Sequence, residues 1–198
     1  MVSPQEWLAK PGTLGKPQPG QIQVLNEQGH PVAQGEEGFL YWLNPPSSQF
    51  EYHKDAEKTH ATRKDNYFTA GDIGYLDEDG YLFLTGRSAE TIIAGGVNIY
   101  PQEIDNVLIM HPAVEDVACV GIPNPDWGEE IKAVVKLRPG YEAAAATTDD
   151  ILQFAATRLA KQKWPRSIDY VDALPRSETG KLLRKRVRDD YWPQDKKI

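Results

Sequence analysis

Apolar and polar residues alternate along the first half of the chain with the two-residue period of β-strands. The runs 21–25 and 36–43 read as strands, and the hairpin signal is strong where YFTAGDIGYL and YLFLTGR flank the turn residues Asp-Glu-Asp-Gly. The polar stretch 44–64 reads as a loop with one helical turn around Asp55–Ala61. The first half is therefore predicted to be antiparallel β.

The pattern changes after Arg87. Pro101 opens an amphipathic helix, PQEIDNVLIMHP, with proline at the first position and acids in the first turn. The pattern then predicts strands at 114–122 and 129–137 and a helix at 148–161. A third strand at 167–174 and a basic helix at 182–188 follow. We therefore expect an α+β protein, with an antiparallel β subdomain at 1–86 and a compact three-stranded sheet with about three helices at 87–198.

Charge is distributed unevenly along the chain. The net charge is -7, which argues against nucleic acid as a general partner, yet the segment from Lys161 to the end carries more Lys and Arg than Asp and Glu. A basic tail on an acidic body favours a local anion site, such as one for a nucleotide or a phosphate. The alternative is a solvated helix face, which would account for Arg184, Lys185, Arg186 and Arg188 without a ligand.

The remaining composition limits the class of protein. No apolar run is long enough to span a membrane, and the N-terminal residues have no apolar signal region, so we expect a cytoplasmic protein. Cys119, the single cysteine, excludes a disulfide within the chain. It lies in the apolar run VACVGI, where we predict a buried strand residue rather than a nucleophile.

Lys181 is the candidate of greatest chemical interest. It ends the stretch LPRSETGK and directly precedes LLRKRVR, a short apolar-basic run that reads as a helix. Thr179 and Gly180 predict a flexible turn, which would hold the lysine ammonium on a mobile arm able to reach a phosphate. Taken alone, such a motif is more often a solvated lysine at a helix start.

Four motifs occur in order along nearly the whole chain: YFTAGDIGYLDEDGYLFLTGR, IIAGGVNIYPQEID, WGEEIKAVV and LPRSETGKLLRKRVR. Together they resemble the C-terminal portion of AMP-forming acyl-CoA synthetases, within the superfamily of adenylate-forming enzymes. The resemblance implies that a carboxylate attacks ATP to give an acyl-adenylate and pyrophosphate. The C-terminal domain then rotates, and the thiol of coenzyme A displaces AMP. ATP, coenzyme A and Mg²⁺ would serve the full-length enzyme, and none is expected to bind this chain tightly.

The resemblance assigns three residues to ATP chemistry. Lys181 would be the catalytic cation that balances phosphate charge during adenylation. Asp72 would accept hydrogen bonds from the ribose hydroxyls, and Arg87 would contact the ribose or a phosphate. The alternatives are a turn aspartate after Gly71 and a surface ion pair of Arg87 with an acid such as Glu90.

Four further residues would lie near coenzyme A if the resemblance holds. Gly95 and Gly96 would border the pantetheine tunnel, Trp127 would stack on the adenine, and Lys163 would meet a phosphate. The alternatives are an ordinary hairpin turn, a tryptophan packed on its own domain and a surface lysine. Ala89 takes the hinge position, where the family usually has Asp or Lys, and QKWP around Lys163 also departs from some relatives.

The sequence contains no Ser/Thr/Gly-rich phosphate loop and no counterpart of the adenine or acyl pocket that the family builds from its large N-terminal domain. Residues 1–86 resemble the β-rich end of that domain, a remnant of its barrel. Three hypotheses stay open: a C-terminal fragment that is inactive alone, a subunit working with a separately encoded N-terminal adenylation domain, and a non-catalytic nucleotide- or CoA-binding module. Exposed strand edges would also allow copies of the chain to pair.

Overall fold

The structure is a computed structural model that describes residues 2–45, 47 and 51–192. Its internal contacts divide the chain into two compact units, the first ending at Ala89 and the second beginning at Glu90. Within the described residues, no helix has both the length and the apolar character needed to cross a membrane. Each unit has its own sheet.

The first unit is built on a seven-stranded antiparallel sheet in the order β1-β7-β6-β3-β5-β4, with β2 paired to β3. Its strands are β1 (Thr13–Gly15), β2 (Ile22–Leu25), β3 (Gly38–Leu43), β4 (Arg63–Lys64), β5 (Tyr67–Phe68), β6 (Asp72–Leu76) and β7 (Leu82–Arg87). The β6–β7 pair is the hairpin that the alternating pattern predicts. Its turn is fixed by Asp77, whose Oδ1 accepts the amides of Asp79 and Tyr81.

Two short helices complete the first unit. Helix α2 (Ala56–Ala61) is the helical turn expected in the polar stretch, and the Asp55 side chain caps it. Helix α1 (Pro4–Ala9) was not predicted, although its signal is present in the sequence. Ser3 and Glu6 form a capping box and Pro4 occupies the first helical position.

The second unit has a five-stranded mixed sheet in the order β10-β11-β8-β9, with β12 parallel to β11. Its elements are β8 (Ile92–Ala94), β9 (Val97–Ile99), α3 (Pro101–Leu108), β10 (Val114–Asn124), β11 (Gly128–Leu137), α4 (Ala145–Ala156), β12 (Ser167–Tyr170) and α5 (Arg184–Asp189). The three helices agree with expectation, but the sheet has five strands rather than three. The additional strands, β8 and β9, have three residues each, which is too short for a periodic pattern to show.

Both faces of the second sheet are covered, which explains why its two long strands are apolar on successive residues. On one face, Val117 and Cys119 pack with α3 and α4 residues such as Ile104 and Ile151. On the other face lies a smaller cluster with α5 and the segment before it: Ala118, Val120, Val134, Leu174 and Val187. Cys119 is a buried strand residue, as predicted, and burial raises the pKa of its thiol.

The α+β class predicted from the sequence is confirmed: an antiparallel sheet comes first and a smaller mixed sheet with three helices follows. The strands of the first unit do not close into a barrel within the described residues. The segment 174–189, which contains Lys181, lies on one face of the second sheet.

Candidate functional site

Lys181 lies at the end of a hydrogen-bonded turn. The Ser177 amide donates to the Lys181 carbonyl at 2.8 Å, and the Gly180 amide donates to the Ser177 carbonyl at 2.9 Å. The Lys181 amide in turn donates to Ser177 Oγ at 3.1 Å. Gly180 has φ +80°, a left-handed conformation that suits glycine. The backbone of Lys181 is therefore more constrained than the flexible turn expected from the sequence.

Arg176 forms a second connection within this turn. Its Nη1 donates to the Gly180 carbonyl at 2.8 Å, and its Nη2 donates to Asp116 Oδ2 on β10 at 2.6 Å. Arg176 also pairs with Leu182 through an isolated antiparallel bridge. One guanidinium therefore joins the tip of the turn to the sheet beneath it.

The Lys181 side chain is exposed, and its ammonium has no hydrogen bond or ion pair within the described part of the chain. Other cations of the basic segment are paired with carboxylates: Lys163 with Glu103, Arg176 with Asp116, Arg184 with Glu90 and Asp105, and Arg188 with Glu129. Much of the basic segment is thus structural. Lys181 remains available to an anionic ligand.

A buried ion-pair cluster lies three residues after Lys181. The Arg184 guanidinium donates to Glu90 Oε2, to the Cys119 carbonyl and to Asp105 Oδ2, each at 2.8 Å. Burial alone would lower the pKa of Arg184, but the carboxylates of Asp105 and Glu90 outweigh it and raise that pKa. Asp105 Oδ1 accepts the Cys119 amide at 2.7 Å, and burial raises the pKa of Asp105 against the opposing effect of Arg184. This cluster fixes the start of α5.

The two predicted ATP ligands of the first unit face each other across the hairpin. Asp72 on β6 is opposite Arg87 on β7, and Arg87 Nε donates to Asp72 Oδ1 at 3.1 Å. Arg87 was expected either to contact nucleotide or to pair with an acid such as Glu90. The structure pairs it with Asp72, while Glu90 pairs with Arg184. The structure therefore brings the two predicted ligands together.

Gly95 and Gly96 form the turn between β8 and β9, with φ values of +59° and +80°. The Gly95 amide donates to the Trp127 carbonyl at 2.8 Å, and a Cβ on Gly95 would lie 2.6 Å from Cε3 of the Trp127 ring. Glycine is required here because the indole lies directly over the backbone. Trp127 is nevertheless 61% exposed, so the indole keeps a large surface open to solvent.

Two further residues of the predicted site, Lys163 and Ala89, lie in short 3₁₀ helices. Lys163 ends a short 3₁₀ helix, Lys161–Lys163, and its ammonium donates to Glu103 on α3. Ala89 lies in a second 3₁₀ helix, Ser88–Glu90, where the first unit ends. The described residues contain no cluster of three or more His, Cys, Asp or Glu placed to hold a metal ion.

Comparison with known proteins identifies the family. The model of the AMP-binding enzyme C-terminal domain matches residues 103–181, from α3 to the candidate lysine. A fatty acid–[acyl-carrier-protein] ligase from Streptomyces coeruleorubidus is 37% identical over 90% of this chain and 34% of its own length. The chain matches the C-terminal portion of the adenylate-forming enzymes. The resemblance predicted from the four motifs is confirmed.

Further relatives support the assignment. The 2-succinylbenzoate–CoA ligase of Geobacillus kaustophilus is 38% identical over 94% of this chain and 37% of its own length. The o-succinylbenzoate CoA synthetase of Bacillus subtilis, solved in complex with the acyl-adenylate intermediate OSB-AMP, superposes with a TM-score of 0.83 at 31% identity. It covers 95% of this chain, which covers 38% of it. The chain thus spans about a third of the length of the relatives it matches.

Sequence reasoning missed the residues that hold the lysine in place. The signal for the buried cluster is present in part: Arg184 shares a helix face with buried Val187, and Asp105 shares one with buried Leu108, each at the i, i+3 spacing. An acid and a base on the inner faces of two helices suggest a buried pair. No comparable periodic signal marks Arg176 and Asp116.

Proposed function

We propose that this chain supplies the lysine-bearing C-terminal domain of an AMP-forming acid–thiol ligase. The reaction converts a carboxylate, ATP and coenzyme A into an acyl-CoA, AMP and pyrophosphate. The carboxylate oxygen attacks the α-phosphorus and pyrophosphate leaves. The thiol sulfur then attacks the acyl carbon and AMP leaves as the thioester forms.

The observation that carries this proposal is Lys181 itself, at the end of the family match. Its backbone is held by the turn, and its ammonium has no ion pair with any residue that the structure describes. In the first step, negative charge shifts onto phosphate oxygens. A positioned cation stabilises that charge more in the transition state than in the ground state. Since its backbone is held by the turn, the four-carbon stem of Lys181 is the part that adjusts to the phosphate.

Asp72 and Arg87 would hold the ribose. The Arg87 guanidinium donates to one carboxylate oxygen of Asp72, which orients the group. A carboxylate has about four lone-pair positions, so Asp72 retains acceptor capacity for the ribose hydroxyls. Under this proposal the ion pair prepares the ligand rather than competing with it.

The second step would use the hairpin surface of the second unit. The exposed indole of Trp127 offers a face on which an adenine ring can stack, and the Gly95–Gly96 turn lets the pantetheine arm pass close to the backbone. Lys163 could meet a phosphate only by exchanging its contact with Glu103. Ala89, which has no polar side chain to favour one pose, would serve as the pivot.

Adenylation also requires a phosphate loop, which none of the 198 residues supplies. We propose that a large adenylation domain provides it, together with the acyl pocket and the Mg²⁺ that accompanies ATP. That domain is either part of the same polypeptide or a separate chain. The acyl substrate is set by its pocket.

The test joins this chain to a large domain of known substrate. The N-terminal part of the Geobacillus kaustophilus 2-succinylbenzoate–CoA ligase is fused before residue 1, and pyrophosphate release is measured with ATP and 2-succinylbenzoate. We expect release by the fusion and none by the 198-residue chain alone. Lys181→Ala should lower the adenylation rate about 10²–10³-fold, the usual cost of losing one positioned charge-stabilising group.

The matched control is Lys185→Ala, which removes an exposed lysine of α5 that has no ion pair within the described chain. It should leave the rate unchanged. Equal rates for Lys181→Ala and the unmutated fusion would contradict the proposed role. Calorimetric binding of AMP or coenzyme A to the fusion, without any pyrophosphate release, would favour a non-catalytic binding module instead.

A further inference from the structure

We infer that Arg176 is a positioning residue that fixes Lys181 against the sheet through the Gly180 carbonyl. The contacts of Arg176 carry this inference. What Lys181 does once it is positioned rests on the proposed function.

Arg176 contacts the residue immediately before the lysine. Its Nη1 donates to the carbonyl of Gly180, and that carbonyl belongs to the peptide group that leads into Lys181. Gly180 has a positive φ and no side chain, and the amide of the same peptide group donates to Ser177 Oγ within the turn. Of the contacts of this peptide group, the one with Arg176 is the one that connects it to the sheet. A bond from a guanidinium to this carbonyl therefore sets the direction in which the chain enters Lys181.

The same guanidinium is attached to the sheet. Arg176 Nη2 donates to Asp116 Oδ2 at 2.6 Å, and Asp116 Oδ1 accepts the Val117 amide at 3.0 Å. Asp116 lies on β10 next to an irregularity in its pairing with β11. Both oxygens of the carboxylate are thus occupied, one by the strand and one by the arginine. The path from β10 to the lysine turn consists of charge-assisted hydrogen bonds, which are about twice as strong as neutral ones.

No other side chain in the segment has this role. Leu174 before the turn and Arg184 after it are buried anchors. Among the described residues 175–183, Arg176 is the residue whose side chain hydrogen-bonds to the sheet. The other hydrogen bonds of these residues join them to one another or, through the Leu183 carbonyl, to α5. Those local bonds shape the turn, and Arg176 both closes its tip and holds it in place.

A lysine cannot replace this arginine fully. The planar guanidinium presents separate donors to Gly180 and Asp116 at once, whereas an ammonium is a single point charge. We therefore expect Arg176→Lys to keep part of the effect and Arg176→Gln to lose it.

The first experiment uses the 198-residue chain and needs no activity. Amide hydrogen exchange of Ser177, Gly180 and Leu183 is followed by NMR in Arg176→Gln and in a control, Arg186→Gln. The control removes one arginine charge from an exposed position with no ion pair in the described structure. We expect exchange about tenfold faster in Arg176→Gln only, as for the loss of one charge-assisted hydrogen bond. Because the unfolded chain lacks this hydrogen bond too, the urea unfolding midpoint should also fall, but by no more than the tenfold change in exchange accounts for.

The second experiment uses the active fusion described above. Arg176→Gln should lower kcat for adenylation about tenfold or more and leave the KM for ATP within about twofold, because the arginine acts through Lys181 rather than on the substrate. Arg176→Lys should be intermediate. Thioester formation from a supplied acyl-adenylate should be unchanged.

Two results would overturn the inference. One is amide exchange in Arg176→Gln equal to that of Arg186→Gln. The other is a rise in the KM for ATP with kcat unchanged, which would make Arg176 a substrate contact. If the unmutated fusion fails to adenylate its acid, the proposed function fails, while the exchange experiment still decides whether Arg176 holds the lysine turn.

Discussion

Arg184→Met gives the sharpest test of how the second unit is held together. Arg184 is 5% exposed, and its side chain donates to Asp105, to Glu90 and to the Cys119 carbonyl. Methionine fills much of the same volume but leaves the Asp105 carboxylate, itself 7% exposed, without its cation. Removing one partner of a buried ion pair typically costs about 3–5 kcal/mol of folding free energy. The half-exposed contact with Glu90 adds little to this figure.

The folding free energy lost in Arg184→Met should depend on pH, and the pKa of Asp105 determines whether the loss grows or shrinks as the pH rises. Burial already raises the pKa of this carboxyl, and Arg184 opposes that rise. Without Arg184, the folded-state pKa of Asp105 should rise further above the unfolded value of about 3.9. A group with a raised folded pKa stabilises the fold while it is protonated, and this contribution is lost as pH rises through the folded pKa. Arg184→Met should therefore lose more stability at pH 8 than at pH 5.

The assay is urea unfolding at both pH values, followed by far-UV circular dichroism and by hydrogen exchange of β10 peptides, which assigns the loss to the second unit. Asp105→Asn combined with Arg184→Met removes the buried charge and keeps an acceptor for the Cys119 amide, so it should recover about 1–3 kcal/mol of the loss. Arg186→Gln, on the exposed face of α5, should change stability by less than about 0.5 kcal/mol. A loss below about 1 kcal/mol at pH 8, or a double variant no more stable than Arg184→Met, would refute this reasoning.

Two further predictions concern the hairpin turn and strand β12. Gly95→Ala should destabilise the second unit by about 1–3 kcal/mol, because the new Cβ would meet an indole ring at 2.6 Å in a left-handed backbone. Gly96→Ala meets open space and should cost less, and thermal unfolding compares the two. Asp169→Asn should lower stability near neutral pH by about 0.5 kcal/mol, allowing for solvent screening. Burial alone would raise the pKa of Asp169, but hydrogen bonds from Lys132 and Tyr191 hold it below its ordinary value, so its contribution is present above pH ~4 and disappears as pH falls through the lowered folded pKa. A difference in urea midpoint between Asp169→Asn and the unmutated chain that does not shrink as the pH falls from 7 would contradict this assignment.

The elements predicted well from the sequence are those whose pattern is local. The β6–β7 hairpin joins strands of five and six residues through a turn in which the Asp77 side chain accepts backbone amides, and both signals lie within one short segment. Helix α3 begins at Pro101 and buries Ile104 and Leu108, the spacing expected of one helix face. The strands β1, β8 and β9 have three residues each and exist because a neighbouring strand supplies their hydrogen bonds. Such strands depend on tertiary pairing, and propensity does not reveal them.

The candidate site also combines features that have a local sequence pattern with features that depend on distant contacts. The exposure of Lys181 and the turn at Gly180 were predicted from neighbouring residues. The hydrogen bond from Arg176 to Asp116, which holds that turn, was not predicted, because Asp116 lies sixty residues before Arg176. Ion pairs between distant segments leave no pattern in a single sequence. The mobile arm stays a prediction, and the structure adds to it the hydrogen bonds that hold the backbone of the turn and the exposure of the Lys181 side chain.

The ion pairs of the structure change the interpretation of the basic segment that begins at Lys161. The basic segment suggested a local anion site, and a patch of several cations would bind many anions weakly and lose affinity steeply with salt. Instead, acids of the same unit neutralise four of its cations: Lys163, Arg176, Arg184 and Arg188. Two of these, Arg176 and Arg184, flank Lys181 and hold the chain on either side of it. Lys185 and Arg186 on α5 also have no ion pair within the described residues, but Lys181 lies on the turn that Arg176 and Arg184 hold from either side. A point charge with such a fixed base is suited to one phosphate at a defined place rather than to a polyanion.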